Sequence, residues 1–147
     1  MNGLLVLSVM TYLAGAGWQD LRTRRIRNLW NAGCGLGFIL LHIWQGTWVA
    51  ALIGLGVMGL GTLIPTLRGW WGVGDWKMAM VLGAAVGTLL AALIWFVGCV
   101  FARWLQPWLQ ALSVRHMDET RASTIPLATV MGIAAAMIFC VSWVILI

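Results

Sequence analysis

Four side chains of this chain are carboxylic acids: Asp20, Asp75, Asp118 and Glu119. Two carboxylates brought close together cannot both ionise readily, so they share a proton. One then acts as a base on water while the other acts as an acid toward a carbonyl. Such a pair hydrolyses a peptide bond without a covalent intermediate. Asp118 and Glu119 fall in the polar stretch 113–123 and read as part of a solvated loop. Asp20 and Asp75 sit at the boundaries of apolar runs, where an ionisable group is costly and marks a functional site. Taken singly, Asp20 is a charge ending a helix beside arginines, and Asp75 is an acid favoured by a helix dipole. As a pair they point to chemistry.

Other catalytic designs lack their parts. The two histidines, His42 and His116, form no His-Glu-x-x-His zinc motif. His42 lies inside an apolar run and reads as a packing or interfacial residue. Ser8, Ser113, Ser123 and Ser142 lack a Gly-x-Ser-x-Gly elbow. Cys34, Cys99 and Cys140 form no Cys-x-x-Cys pair, so they read as small buried hydrophobes. Neither a metal nor a cofactor is implied.

The elements that must position the two aspartates are membrane helices. Of 147 residues, 62% are hydrophobic and 9% charged, whereas soluble domains are nearer half apolar and a quarter charged. The apolar runs are long and unbroken, unlike the short alternating segments of a membrane β-barrel. The fold class is therefore all-α, a polytopic membrane helix bundle forming a single domain over residues 1–147. The net charge of +5 does not indicate nucleic acid, because the basic residues sit between apolar runs as loops beside a bilayer do.

The runs are Gly3–Trp18, Leu29–Trp44, Val49–Leu67 and Ile125–Ile147, the last with Thr124 as a cap and Pro126 as a start. The stretch from Trp76 to Phe101 reads either as one tilted helix or as two joined by a turn between Gly83 and Thr88. The positive-inside rule favours two. Arg22, Arg24, Arg25 and Arg27 follow the first run, Arg68 and Lys77 the third, and Arg103, Arg115 and Arg121 precede the last. All three groups face the cytoplasm only with six helices and both termini outside. A fourth helix from about Asp75, a turn near Gly87 and a fifth helix to about Leu109 satisfy the span length of about 20 residues. This topology puts Asp20 and Asp75 at one depth on the cytoplasmic side. Gly33 with Gly37, and Gly83 with Gly87, have the spacing that lets helices approach closely in lipid. Most of the eleven tryptophans lie near the ends of runs, as interfacial anchors do.

Two glycines precede the second acid in Gly72-Val73-Gly74-Asp75-Trp76-Lys77. They open the backbone to an extended peptide. The first acid opens the segment Asp20-Leu21-Arg22-Thr23-Arg24-Arg25-Ile26-Arg27-Asn28. In both, the chain resembles the type IV prepilin peptidases, which are Gly-x-Gly-Asp intramembrane aspartic proteases. The family's first motif is an aspartate, a basic residue two on, then Ile-Pro-Asn; here Arg27 stands in place of the proline. Ile125-Pro126 with Gly132 resembles the family's final helix, with Thr129 near the position of a second proline. Larger members carry a cytoplasmic insertion with paired cysteines, linked to N-methylation of the product. That insertion is absent, and the short form looks like the enzymes of tight-adherence (Flp-type) pilus systems.

The resemblance implies an aspartic endopeptidase of the bacterial inner membrane, with Asp20 and Asp75 catalytic and the active site facing the cytoplasm. Its substrate would be a prepilin or pseudopilin with a basic leader and an apolar helix. Gly72, Gly74 and Lys77 would contact that substrate, and the arginines after Asp20 would meet lipid headgroups. Two rivals stand beside this reading. One is a non-enzymatic membrane subunit or small transporter that uses the two aspartates for ion or proton binding, although no internal repeat supports it. The other is an inactive relative serving as a scaffold, against which both acids and both motif glycines speak. The topology predicts that a cysteine at position 113 (Ser113→Cys) is not labelled by an impermeant thiol reagent from the outer face; labelling there refutes six helices in this orientation.

Overall fold

A computed structural model describes residues 3–23, 25–113 and 127–145. Six α-helices occur among them, with no strand: α1 (Gly3–Thr23), α2 (Asn28–Trp44), α3 (Trp48–Leu67), α4 (Val73–Val86), α5 (Thr88–Ser113) and α6 (Leu127–Ile145). The chain is thus an all-helical bundle of the membrane class. Two helices, α3 and α5 over Thr88–Leu105, are long and apolar enough to cross a membrane. Leu29, Leu60, Leu89, Phe96 and Trp104 are all strongly exposed, an exterior that suits lipid and not water.

The stretch from Trp76 is broken where expected. Gly87 takes a φ of 79°, a left-handed conformation that side chains resist. Its N–H closes α4 on the Gly83 carbonyl at 3.0 Å, and its own carbonyl accepts from Ala91 N–H at 3.1 Å to begin α5. The first helix runs past its apolar segment to Thr23, so Asp20 lies within the helix and not after it. The expected cap Thr124 and start Pro126, and the loop acids Asp118 and Glu119, lie outside the described residues.

The helices sort into two compact units. The first holds α1, α6 and the part of α5 from Ile94. On α1 the buried residues Leu5, Val9, Leu13, Ala16 and Asp20 follow helical spacing down one face. Ala128, Val130, Met131, Ala134 and Ala135 are buried on α6. Small residues set the distance between elements. A Cβ at Gly17 would lie 3.2 Å from the Thr129 Cα, and one at Gly98 would collide with the Met131 side chain.

The second unit holds α2, α3, α4 and the start of α5. Its centre is α4, packed against both α3 and α2. Met78, Ala79, Val81, Leu82, Gly83, Ala84 and Ala85 are all buried, so α4 is apolar around its circumference, as an enclosed helix must be. Against α3 the approach is backbone to backbone. A Cβ on Gly54 would strike the Gly83 carbonyl, and a Cβ on Gly83 would strike that of Gly54. Against α2, Gly35 faces Val81, at 3.3 Å for an added Cβ.

Only part of the expected glycine packing is found. Gly83 packs on α3, and Gly87 makes a turn whose Cα also lies 3.2 Å from a Cβ added at Gly54. Gly33 and Gly37 have nothing within 4 Å, because α2 buries the face of Asn31, Gly35 and Phe38 instead. The contrast is testable by thermal unfolding in detergent. Gly54→Ala and Gly83→Ala should each destabilise by about 3 kcal/mol, since a backbone carbonyl cannot step aside. Gly33→Ala should be neutral or stabilising by up to about 1 kcal/mol, from its gain in helix propensity.

Candidate active site

Asp20 ends the buried stripe of α1 and is only 8% exposed. Its Oδ2 accepts from the Ala128 N–H at 3.0 Å. Ala128 is the second residue of α6, whose first N–H groups have no partner within their own helix. Asp20 therefore caps α6 from another element, at the helix end where the dipole favours negative charge. One turn away, Thr129 Oγ1 donates to the Gly17 carbonyl at 3.1 Å. Two hydrogen bonds thus stitch the last turns of α1 to the first turn of α6, with Gly17 permitting the contact. Beside them an apolar groove runs between the two helices, lined by Leu13, Gly17, Leu21, Thr129 and Ile133 among others. On the exposed side, the Arg22 guanidinium lies 4.2 Å over the Trp18 ring, a cation–π pair.

Asp75 is the third residue of α4 and half-buried. Its Oδ2 accepts from the Gly72 N–H at 3.1 Å. This is the carboxylate arm of a capping box; glycine at the cap has no side chain to return the bond. Gly72 is extended, with φ −74° and ψ 155°, so its value is not unusual backbone freedom. A Cβ there would lie 3.3 Å from the Asp75 carboxylate. Gly74 has nothing within 4 Å, leaving open space over the backbone before the acid. Asp75 stands outside the two helices long enough to span.

The residues after Asp75 each reach a different helix. Trp76 Nε1 donates to the Gly59 carbonyl of α3 at 2.8 Å. Lys77 Nζ donates to Asn28 Oδ1 at the start of α2, also at 2.8 Å. At the far end of the same helices, His42 Nε2 lies 3.0 Å from the Ala85 carbonyl and Nδ1 lies 2.8 Å from Thr47 Oγ1. A carbonyl only accepts, so Nε2 carries the proton toward Ala85. The packing role read for His42 is what the structure shows. Asn28 with Lys77 at one end, and His42 with Ala85 at the other, make α2 and α4 parallel.

The two aspartates belong to different units, Asp20 to the first and Asp75 to the second, and each carboxylate accepts a backbone N–H of its own unit, Asp20 from Ala128 and Asp75 from Gly72. Lys77 does not pair with Asp75, as their spacing of two on a helix requires. Sequence reasoning did not identify Ala128 and Thr129 as partners of α1, nor Asn28 as the acceptor for Lys77. The available signals were a threonine inside an apolar run and an asparagine closing the first motif. Among the described residues, no three His, Cys, Asp or Glu side chains gather in a metal-binding group.

A model of the type IV leader peptidase family matches residues 4–105, a span that contains both aspartates. Comparison with curated proteins and with solved structures returned no significant match. The capping geometry makes its own prediction. Asp20→Ala should lower stability by about 1 kcal/mol by orphaning the first turn of α6, whereas Asp20→Asn, which keeps an acceptor oxygen, should recover most of it; thermal midpoints in detergent provide the check.

Proposed function

The chain belongs to the type IV leader peptidase family, and from that premise we propose that it is an intramembrane aspartic endopeptidase with Asp20 and Asp75 as its catalytic pair. The observation that carries the reading is the company each acid keeps. Both lie within the family match, both are withdrawn from solvent, and both accept a backbone N–H at the start of a helix. A carboxylate kept at a helix N-terminus is oriented without a counter-ion, which leaves its charge available for chemistry.

In the mechanism, the pair shares one proton and titrates as a unit. The ionised member takes a proton from water, which attacks the scissile carbonyl while the protonated member supports the developing oxyanion. Collapse of the tetrahedral intermediate returns a proton to the leaving amine. No metal or cofactor enters. The substrate is the leader of a type IV or Flp-type prepilin or pseudopilin, cut where its basic leader meets its apolar helix. Gly74, with open space above it, and Gly72 let an extended peptide approach. Lys77 spends one donor on Asn28, and its ammonium has others for an acidic group on the substrate. The whole chain acts as one peptidase domain, multi-pass in the bacterial inner membrane, with the site on the cytoplasmic side. The exposed Arg22 and Arg25 meet the headgroups there.

Co-expression with a candidate prepilin, with precursor and product separated on a gel, tests the reading. Processing should occur with the native chain and vanish with Asp20→Ala and with Asp75→Ala. Full cleavage by either variant means that the two acids are not a catalytic pair.

A further inference from the structure

The Lys77–Asn28 hydrogen bond joins the two motif segments. Lys77 is half-buried on the second turn of α4, two residues after Asp75, and Asn28 is the first residue of α2. The ammonium has only donors, so the Asn28 amide must present its oxygen, and the 2.8 Å separation is that of a charge-assisted bond. With Trp76 bonded to α3 at Gly59, the turn carrying Asp75 is fixed to two neighbouring helices by the two residues that follow it. The α3 tether is reinforced close by, because Gly59 also packs against Met80, at 3.1 Å for an added Cβ. At this end Lys77 and Asn28 tie α4 to α2. The segment leaving Asp20 enters the second unit at Ile26, two residues before Asn28.

We propose that Asn28 is a positioning residue for the peptidase reaction, holding the Asp75 turn to the start of α2 through Lys77. This inference rests on the peptidase reading. Neither Asn28 nor this contact acts on the substrate's reacting atoms. The bond fixes the turn, and a small displacement of a catalytic group is enough to slow chemistry.

The test uses the full chain in detergent with a purified prepilin, reading kcat and KM separately together with a thermal midpoint. Asn28→Leu should lower kcat about tenfold while KM stays within about twofold, as expected when orientation and not binding is lost. Asn28→Asp, which offers Lys77 a carboxylate, should restore kcat. Asn28→Leu combined with Lys77→Met should be no slower than Lys77→Met alone, because the two residues act as a unit. Should Asn28→Leu fail to fold, Asn28→Ser serves in its place, since its short side chain falls away from Lys77 yet suits a helix start. The proposal is overturned if kcat is unchanged without the asparagine, if the loss lies wholly in KM, if Asn28→Asp does not rescue, or if the double variant shows additive losses. Asp75→Asn in parallel separates the two claims: activity there sinks the peptidase reading itself, whereas inactivity with an unaffected Asn28 variant sinks only this one.

Discussion

The contact between Gly54 and Gly83 sets the frame for half of the molecule. At 14 residues, α4 rises about 21 Å, less than the hydrocarbon thickness of a bilayer. It is enclosed, and its position is inherited from its neighbours. Backbones that meet with no side chain between them leave no room for sliding, so α3 fixes the height of α4. From that height follow the turn at Gly87, the reach of Trp76 to Gly59, and the level at which Asp75 is presented. A single methyl group at either glycine would disturb all three.

The two acids solve the same electrostatic problem in two ways. A carboxylate shielded from water needs donors. Asp75 takes its donor from its own helix, at the cap three residues earlier, so its placement is local and depends on Gly72 being small. Asp20 takes its donor from a helix more than a hundred residues further along the chain, so its placement depends on α6 arriving correctly. A conformational adjustment at Asp20 must involve α6, whereas one at Asp75 must involve the turn that precedes α4.

Much of this was legible in the residues. Composition and the length of the apolar runs specify helices, and the placement of Lys and Arg selects two helices over one in the stretch from Trp76, with a turn expected between Gly83 and Thr88 and found at Gly87. The acids stand out because so few charges occur. Contacts that depend on rotational phase were not legible. Gly33 and Gly37 have the spacing of a packing motif, yet Gly35 does the packing, because four-residue spacing identifies a face without saying what opposes it. Likewise the partner of Asp20 is a backbone N–H, which any residue type supplies, so no side chain at position 128 could announce it. Lys77 and Asn28 were visible as motif members, but only three-dimensional structure brings an ammonium from one motif to an amide of the other.

His42 was read as ordinary packing, and its geometry carries a further consequence. Its imidazole satisfies the Ala85 carbonyl in the last turn of α4, while Lys77 is bonded to the same helix, α2, from the first turns. The two attachments lie eight residues apart, about 12 Å along the axis. Two anchors at different heights remove a freedom that one anchor leaves: α4 cannot spin about its own axis relative to α2 without breaking at least one of them. The azimuth of the Asp75 carboxylate is thereby coupled to that of α2 as a whole, so torque applied at one helix is transmitted to the other.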